Sequence, residues 1–330
     1  MELRQLKYFV RVVDLGSFSS AAKDLYIAQP ALSAQISKLE DELNVKILTR
    51  SVRGVSTTQA GEALYLHAQA VLRQIECLKT NVSNIGAKPS GPVSIGIPTS
   101  AANILVGPLI GAVQEKYPDI QLQIVESLSG HLQELVSNGR LEMCLLFEPI
   151  ESDNSNHLGN TPEPARLRRI PLIDEELFLI GKKLDDENES SAISLERVST
   201  LPLVLPGKPN LTRKLIEDVF HRSSLSLRIV AEIDSLSTIQ SIVESGHAYT
   251  ILSMSAMNYN SDVPKFHIRS IGDGRLRRRL SLCMSDIVGI NIAAESVSVL
   301  IPQLVKSSLD LGNWRGASPV KKVIVPQSAS

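Results

Sequence analysis

The sequence predicts an α/β protein with an N-terminal winged helix-turn-helix, a long linker helix and a larger C-terminal α/β region. Three observations lead to this fold class. Short helical patterns separated by a tight turn open the chain, and a pair of short strands follows them. A regular heptad pattern comes next, and strand and helix patterns then alternate to the end of a last long helix near residue 311.

Residues 1–58 are predicted to form three short helices and a hairpin. The buried face of the first helix is predicted from apolar residues at helical spacing: Leu3, Leu6, Phe9, Val10 and Val13. Gly16 is expected to end that helix, Ser17 to cap the second and Pro30 to start the third. The hairpin strands are expected over residues 45–48 and 54–57.

Residues 59–88 are predicted to form a linker helix. Thr58 suits its N-cap, and Glu62 lies in the first turns, where the helix dipole favours an acid. Apolar residues then alternate at intervals of four and three: Leu64, Ala68, Val71, Ile75, Leu78, Val82 and Ile85. This seam favours pairing with a second copy, although a helix packed only on its own domain would show a similar pattern.

Residues 89–311 alternate between strand and helix patterns. The order strand, helix, strand, helix, strand over residues 93–147 predicts a parallel, doubly wound sheet. The polar residues around 148–167 are expected to act as a hinge. The tail 312–330 contains Pro319, Pro326 and terminal serines, and it is expected to be loosely ordered.

Composition excludes several classes of protein. The three widely spaced cysteines and six scattered histidines predict neither a disulfide framework nor a metal site. The sequence shows no membrane span and no signal peptide, so a cytoplasmic protein is expected. The net charge is −1, yet residues 1–88 carry 11 Lys and Arg against 8 Asp and Glu, which suits an N-terminal DNA-binding module.

The third helix has an apolar stripe on one side and small polar residues on the other. Its outward N-terminal surface and flanks contain Gln29, Pro30, Ser33, Ala34, Ser37 and Lys38. Such a surface can enter the major groove of double-stranded DNA, where short hydroxyl and amide groups reach base edges. A solvated helix face has a similar composition, but the short helix and turn before it and the basic hairpin after it favour DNA binding. Arg50 and Arg53 in the hairpin suit phosphate or minor-groove contact.

One continuous run carries a family resemblance: LKYFVRVVDLGSFSSAAKDLYIAQPALSAQISKLEDELNVKILTRSVRGVSTTQAGEAL. It resembles the N-terminal domain of LysR-type transcriptional regulators, and the likeness extends along the whole chain. IAQPALS, the RGV of the hairpin and AEIDSLSTIQSIVESGHAYTIL most resemble the nitrogen assimilation control branch of that family.

The resemblance implies a sequence-specific transcription regulator that is not an enzyme and holds no cofactor. It implies a DNA-binding domain over 1–58, a dimerising linker over 59–88 and a two-lobed effector domain, like periplasmic binding proteins, over 89–311. Lobe I is expected over 89–163 and 268–311, and lobe II over 164–267. The implied partners are double-stranded DNA and further copies of the chain, as a dimer or a homotetramer. A small-molecule effector and RNA polymerase stay open as further partners.

By the same resemblance, an effector would lie in the crevice between the lobes. The residues expected to line it are Thr99, Ser100, Ser127, Ser129, Phe147 and Pro206. Strand ends and helix N-termini converge there and offer N–H groups and hydroxyls to an anion or a polar metabolite. Thr99 and Ser100 would serve equally well as caps of the following helix.

Two kinds of function compete with an effector-responsive regulator. One is a constitutive regulator whose crevice is filled by its own side chains. The other is an enzyme or a solute-binding protein on the α/β domain. The sequence contains no GxSxG, Walker or GxGxxG motif, which argues against an enzyme. The helix-turn-helix pattern argues against both the enzyme and the solute-binding protein.

Overall fold

A computed structural model describes residues 1–51, 54–83, 88–150, 167–184, 192–208, 210–257, 266–274, 276–285 and 290–320. Over these residues the chain forms a winged helix-turn-helix, a long helix and a two-lobed α/β domain. The predicted α/β class and the order of its parts are confirmed.

The winged helix-turn-helix contains three helices and a two-stranded hairpin. The helices are α1 (Leu3–Leu15), α2 (Phe18–Asp24) and α3 (Gln29–Leu43), and the strands are β1 (Leu48–Ser51) and β2 (Gly54–Thr57). Gly16 ends α1 with a φ of 60°, a left-handed conformation that glycine adopts at little cost. The Ser17 hydroxyl accepts a hydrogen bond from the N–H of Ser20 and caps α2. Both caps are as the sequence predicts.

The buried face of α1 differs in part from the prediction. Leu6 and Phe9 are buried as expected, and so is Val12, which the predicted pattern omits. Leu3 is instead 50% exposed, so its placement in the core is wrong. The buried apolar residues Leu6, Phe9 and Val12 lie three apart, and Leu3 continues that spacing into the first turn of α1, where it is exposed to solvent.

Glu40, near the end of α3, fixes where the hairpin begins. Its carboxylate accepts hydrogen bonds from the backbone N–H groups of Ile47 (3.1 Å) and Leu48 (3.3 Å) and from Lys46 Nζ (2.7 Å). These bonds hold residues 45–47 as a connector, so the first strand starts at Leu48 and its predicted range of 45–48 is wrong. Burial raises the pKa of Glu40, but the three hydrogen bonds outweigh burial and hold the pKa below its ordinary value.

The linker helix α4 spans Gln59–Ser83. Thr58 caps it as predicted, because its hydroxyl accepts from the N–H of Gly61 (3.0 Å) and donates to the carbonyl oxygen of Lys46 (2.7 Å). A Cβ on Gly61 would lie 1.8 Å from the carbonyl oxygen of Ile47. Only glycine therefore allows α4 to start this close to the hairpin.

The C-terminal domain follows α4. In chain order its elements are β3 (Gly91–Pro98), α5 (Thr99–Lys116), β4 (Ile120–Ser127), α6 (Ser129–Ser137), β5 (Met143–Pro149), β6 (Leu167–Glu176), β7 (Phe178–Gly181), α7 (Leu195–Ser199), β8 (Leu203–Leu205), α8 (Leu211–Arg222), β9 (Ile229–Glu232), α9 (Leu236–Glu244), β10 (Thr250–Leu252), β11 (His267–Ser270), β12 (Arg277–Ser285), α10 (Ile292–Asp310) and β13 (Ala317–Pro319).

Lobe I is built on one six-stranded sheet, in the order β13-β6-β12-β5-β3-β4. Strand β3 runs parallel to β4 and β5, as predicted. The buried apolar residues of the sheet pack against α5 and α10 and form the core of lobe I. Strand β12 is antiparallel to β5 and β6, so the sheet is mixed and the prediction of a parallel sheet holds only for its first three strands. The chain enters lobe II after β6 and returns to lobe I at β12. Because β6 and β12 are antiparallel, no crossover helix is needed to join them.

Lobe II contains two smaller sheets with a core of their own. One is the antiparallel sheet β10-β7-β11 and the other is the parallel pair β8-β9. Helices α8 and α9 pack against them through Ile216, Phe220, Ile239 and Val243.

In the described part of the chain, the polypeptide passes between the lobes at two places: from β6 to β7 at Leu177, and from the end of β11 at Ser270 to the start of β12 at Arg277. The predicted hinge at 148–167 is therefore wrong where the structure describes it, because β5 and β6 on either side belong to the same sheet. Residues 151–166 of that stretch lie outside the described residues. The predicted lobe limits also change, since 167–176 belongs to lobe I and 268–270 to lobe II.

The segment after α10 is ordered as far as it is described. Trp314 is buried in the core of lobe I, and β13 pairs with β6. The prediction of a loosely ordered tail is therefore wrong for residues 312–320, because a buried indole anchors a segment that prolines and serines make look polar. Residues 321–330 lie outside the described part of the chain.

Replacement of Glu40 by Gln is expected to lower the stability of the N-terminal domain by about 1–2 kcal/mol at pH 7, because the carboxylate accepts three hydrogen bonds. The folded-state pKa lies below the unfolded one, so this contribution is complete above the unfolded pKa and is lost as pH falls through the folded pKa. Thermal unfolding of wild type and variant at a series of pH values measures it. The exposed Glu62→Gln variant is the control, and a difference that does not change with pH would contradict the assignment.

Candidate functional site

The outward surface of α3 matches the predicted one. Gln29, Pro30, Ala34 and Lys38 are exposed, and Ser33 and Ser37 are half-buried on its flanks. The opposite side of the helix carries the buried Leu32, Ile36 and Leu39. The N-terminal end of α3 is therefore a small, polar and accessible surface, as a helix that enters a DNA groove requires.

Arg50 links the hairpin to that surface. Its Nη2 donates to the Ser33 hydroxyl at 3.0 Å, and its guanidinium carbon lies 4.4 Å from the centre of the Phe18 ring. The hydroxyl hydrogen of Ser33 is not used by this bond and stays available to an external acceptor. Arg53, which was predicted together with Arg50, lies outside the described residues.

The predicted seam of α4 divides into two parts. Leu64 and Ala68 pack in the core of their own winged helix-turn-helix, and Ala68 is buried there. Farther along, Ile75 is half-buried, whereas Leu78 and Val82 are 64% and 63% exposed. Val71 at the division is also exposed. Within one protomer, the described part of the apolar seam is thus covered at its start and open over its second half; Ile85 lies outside the described residues.

A salt bridge connects α4 to lobe I. Arg73 Nη1 lies 3.4 Å from a carboxylate oxygen of Glu142, and the other oxygen of Glu142 accepts from the N–H of Ser94 at 2.7 Å. Burial lowers the pKa of Arg73, although Glu142 opposes that shift. The contact gives the linker helix a fixed attachment point on the C-terminal domain.

A crevice lies between the two lobes, where the C-terminal ends of β3, β4 and β5 meet the N-terminus of α8. All six residues predicted for an effector site line it: Thr99, Ser100, Ser127, Ser129, Phe147 and Pro206. The remaining lining residues include Asn210, Thr212, Asp234, Leu252, Ala256 and Arg278. The free space is about 60 Å³, far below the roughly 300–1,000 Å³ of ordinary ligand pockets.

The three serines of the crevice already have partners in the chain. The hydroxyl of Ser129 accepts from the N–H of Phe147 (3.1 Å), and that of Ser127 lies 2.9 Å from Nδ1 of His131. Ser100 accepts from Arg278 at 3.0 Å. The cap residue of α5 is Pro98, so Thr99 and Ser100 do not cap that helix.

Arg278, which the sequence analysis missed, fills the centre of the crevice. Its guanidinium group donates to Glu175 Oε2 from two nitrogens, at 2.7 and 2.9 Å, and its carbon lies 3.5 Å from the centre of the Phe147 ring. The other hydrogen bonds of the group reach three hydroxyls, those of Ser100 (3.0 Å), Thr212 (2.7 Å) and Ser253 (2.8 Å). Ser100 belongs to lobe I, whereas Thr212 and Ser253 belong to lobe II, so one side chain holds both lobes.

Glu175, the partner of Arg278, is fully buried on β6. Its Oε1 accepts from the Ser255 hydroxyl and, at 2.9 Å, from the indole N–H of Trp314. The segment after α10 therefore contributes a hydrogen bond to the ion pair of the crevice. Burial of a carboxylate is costly unless it is paired and hydrogen-bonded, and these donors together with Arg278 meet that need.

Arg278 is the second of three successive arginines at the start of β12, so its place in the crevice was not evident from the sequence. Side chains alternate between the two faces of a strand, so Arg278 points into the crevice while its neighbours point away. Arg279 pairs with Asp174 (2.7 Å), and Arg277 donates to the Ser318 hydroxyl (2.7 Å). Arg278 lies two residues after Leu276 and two before Leu280, and this period of two is the signal that could have identified it as the buried arginine.

Other kinds of site find no support where the structure describes the chain. Among the described residues, no group of three His, Cys, Asp or Glu side chains is placed to hold a metal ion. Cys144 and Cys283 face each other across β5 and β12 in the core, and burial raises the pKa of the Cys144 thiol, which keeps it protonated. No helix in the described part of the chain has the length and apolar character needed to cross a lipid bilayer.

Comparison with known proteins defines the class. Residues 3–62 match the model of the bacterial regulatory helix-turn-helix protein of the LysR family, and residues 86–286 match the LysR substrate binding domain. The chain belongs to the LysR family of transcriptional regulators, which are not enzymes. Proteins of this family bind DNA, oligomerise and bind small-molecule effectors.

The similar proteins include nitrogen assimilation regulatory protein nac of Klebsiella aerogenes, 34% identical over 92% of this chain and 95% of the relative. The nac protein of Escherichia coli strain K12 is 32% identical over 93% of this chain and 96% of its own. Among solved structures, a full-length OxyR variant from Pseudomonas aeruginosa has a TM-score of 0.68 at 23% identity, covering 93% of this chain and 98% of that one. A structure of full-length CbnR complexed with its target DNA has a TM-score of 0.59 at 20% identity, covering 93% of this chain and 100% of that one. These two structures support the fold.

Proposed function

We propose that this LysR-type regulator controls genes of nitrogen metabolism in the cytoplasm and needs no small-molecule effector, because Arg278 occupies its effector crevice. It reads DNA through α3 and the hairpin and pairs with a second copy through α4. Likeness to the two nac proteins over more than nine-tenths of the chain supports the nitrogen assignment. The contacts of Arg278 carry the proposal of effector independence.

The exposed surface of α3 supports direct reading of bases. Ser33 and Gln29 present a hydroxyl and an amide, and Ala34 between Pro30 and Lys38 leaves room for close approach to a groove floor. Arg50 holds Ser33 in place and adds positive charge beside it. Base contacts therefore fall to the N-terminal half of α3 and phosphate contacts to the basic hairpin.

Wild-type protein is expected to retain fragments from upstream of nitrogen-metabolism genes in a gel shift with random competitor DNA. Ala34→Arg is expected to change which sequences are selected from a random library, because it places a long donor on the groove-facing side of α3. Gln114→Arg, at an exposed position of α5, adds the same charge far from α3 and is the control. Unchanged selection by Ala34→Arg would contradict the placement of α3 in the groove.

The open half of the α4 seam supports pairing between two copies. Val71, Leu78 and Val82 present apolar side chains in a row that one protomer leaves exposed. Two antiparallel or parallel copies of this stripe would cover each other, and the resulting two-fold symmetric dimer would read a partly palindromic site. Pairing of two dimers would give the homotetramer that the family resemblance implies.

Val71→Asp is expected to reduce the dimer fraction and to weaken DNA binding by about tenfold or more, since a charge would be desolvated in the seam. Ala63→Asp, at an exposed position outside the seam of the same helix, is the control. Sedimentation at several protein concentrations measures the assembly. If Val71→Asp sediments and binds DNA like wild type, α4 does not form the interface.

We infer effector independence from the contacts that Arg278 makes across the crevice. The guanidinium group makes the polar, bidentate and stacking contacts by which a small cationic ligand would be bound, and it contacts both lobes as such a ligand would. Because it is part of the chain, it is present at all times and holds one lobe arrangement without a ligand. The 60 Å³ that remains suits water or a very small ion.

Arg278→Gly is expected to destabilise the C-terminal domain by about 3–5 kcal/mol, because it leaves Glu175 buried without its cation. Millimolar guanidinium or methylguanidinium should then raise the melting temperature of the variant and restore its control of a reporter promoter. The double variant Arg278→Gly, Glu175→Gln is the control, and the added cation should have little effect on it because the carboxylate is gone.

Two results would contradict effector independence. One is a metabolite or inorganic anion that raises the melting temperature of the wild-type protein and loses this effect in Thr99→Val. The other is a failure of guanidinium to stabilise a folded Arg278→Gly protein. A silent metabolite screen of the wild type, together with full DNA binding, supports the proposal.

A further inference from the structure

The turn between α2 and α3 contains an exposed aromatic residue in a strained conformation. Tyr26 is 95% exposed, and its φ of 55° lies in the left-handed region. Bulky side chains rarely adopt that conformation, and residues that keep it concentrate at functional sites. Neither the core nor the backbone of the turn explains a tyrosine at this position.

The backbone of the turn would favour glycine. The N–H of Tyr26 donates to the carbonyl oxygen of Lys23 (3.2 Å), and that of Ile27 donates to that of Ala22 (3.0 Å), which together close the C-terminal end of α2. In this type of helix ending, the left-handed residue is usually glycine or asparagine. The turns of helix-turn-helix units often contain glycine for the same reason. Stability alone therefore does not select Tyr26.

The position of the turn indicates what Tyr26 meets. It lies three residues before Gln29, the first residue of α3, and the hydroxyl of Ser19 in α2 donates to the amide oxygen of Gln29 at 3.3 Å. When the N-terminal end of α3 enters a major groove, the turn before it faces the sugar–phosphate strand that borders the groove.

The charges around Tyr26 suit an anionic partner. Lys23 in the last turn of α2 is exposed. The nearby carboxylate of Asp24, which would repel a phosphate, is held by two hydrogen bonds from Arg11, at 2.5 and 2.6 Å. The local field is therefore compatible with approach of a phosphodiester.

We propose that Tyr26 is a DNA-contact residue: its hydroxyl donates to a phosphate oxygen beside the groove, and its ring packs on the adjacent sugar. The contact carries no sequence information and fixes the register of α3. This inference rests on the proposed binding of DNA through α3. It assigns to the turn a role that the sequence analysis gave only to α3 and the hairpin.

Three variants test the inference in the full-length protein, with a fluorescent DNA fragment that the wild-type protein retains in a gel shift and a random duplex of equal length. Tyr26→Phe removes only the hydroxyl and is expected to weaken binding to both duplexes by about tenfold. The slope of affinity against salt should not change, because a neutral donor releases no counterion. Tyr26→Gly should weaken binding more, while its melting temperature stays equal to or above that of wild type because the left-handed strain is relieved.

Asn44→Gly is the matched control. Asn44 has a similar φ of 52° at the opposite end of α3, so this change relieves the same backbone conformation away from the proposed contact. Its DNA affinity should equal that of wild type.

The inference is overturned if Tyr26→Phe and Tyr26→Gly bind both duplexes like wild type, or if affinity falls only together with the melting temperature. Binding by the wild-type protein is a separate readout. Its loss would reject the proposed DNA-binding function, whereas equal binding by wild type and Tyr26 variants would reject the Tyr26 contact alone.

Discussion

The C-terminal domain depends on one buried ion pair, between Arg278 on β12 and Glu175 on β6. Both strands belong to the sheet of lobe I, and both lead into lobe II, so the pair lies at the junction of the two lobes. Desolvation of two charges is expensive, and the pair is tolerable only because nearly every donor and acceptor has a partner. Hydroxyls from both lobes and the indole of Trp314 supply these partners. Separation of the lobes would have to break several of these bonds at once.

This arrangement changes what the crevice can do. In a two-lobed sensor, a ligand shifts the equilibrium between lobe arrangements by binding one of them more tightly. Here a side chain of the protein makes contacts of that kind permanently, and the remaining space is small. On the proposed function, the architecture of a sensor is kept, while the interaction that would report a metabolite is supplied within the chain. Regulation would then lie in the amount of protein and in the DNA sites available to it.

The N-terminal domain separates stability from recognition. Leu32, Ile36 and Leu39 bury one side of α3, and Glu40 ties its end to the hairpin through backbone N–H groups. These contacts hold the helix without using its outer surface. That surface and the turn before it keep features that packing does not require, including the small side chain of Ala34 and the left-handed Tyr26. Such departures from what stability favours are expected where a protein contacts a partner.

Six residues around the crevice were identified from the family resemblance. The sequence by itself determined the order of the parts, the caps at Gly16, Ser17 and Thr58, and the exposed surface of α3. These features depend on local periodicity, on turn chemistry and on motifs close together in the chain. Only the tertiary structure decided that Leu64 and Ala68 serve their own domain, that the lobes meet at β6 and β12, and that Trp314 is buried. It alone brought Arg278 to Glu175, 103 residues away along the chain, and to Ser100, 178 residues away. A strand pattern shows that alternate side chains face opposite ways, but which face becomes an interior depends on what the rest of the chain packs against it.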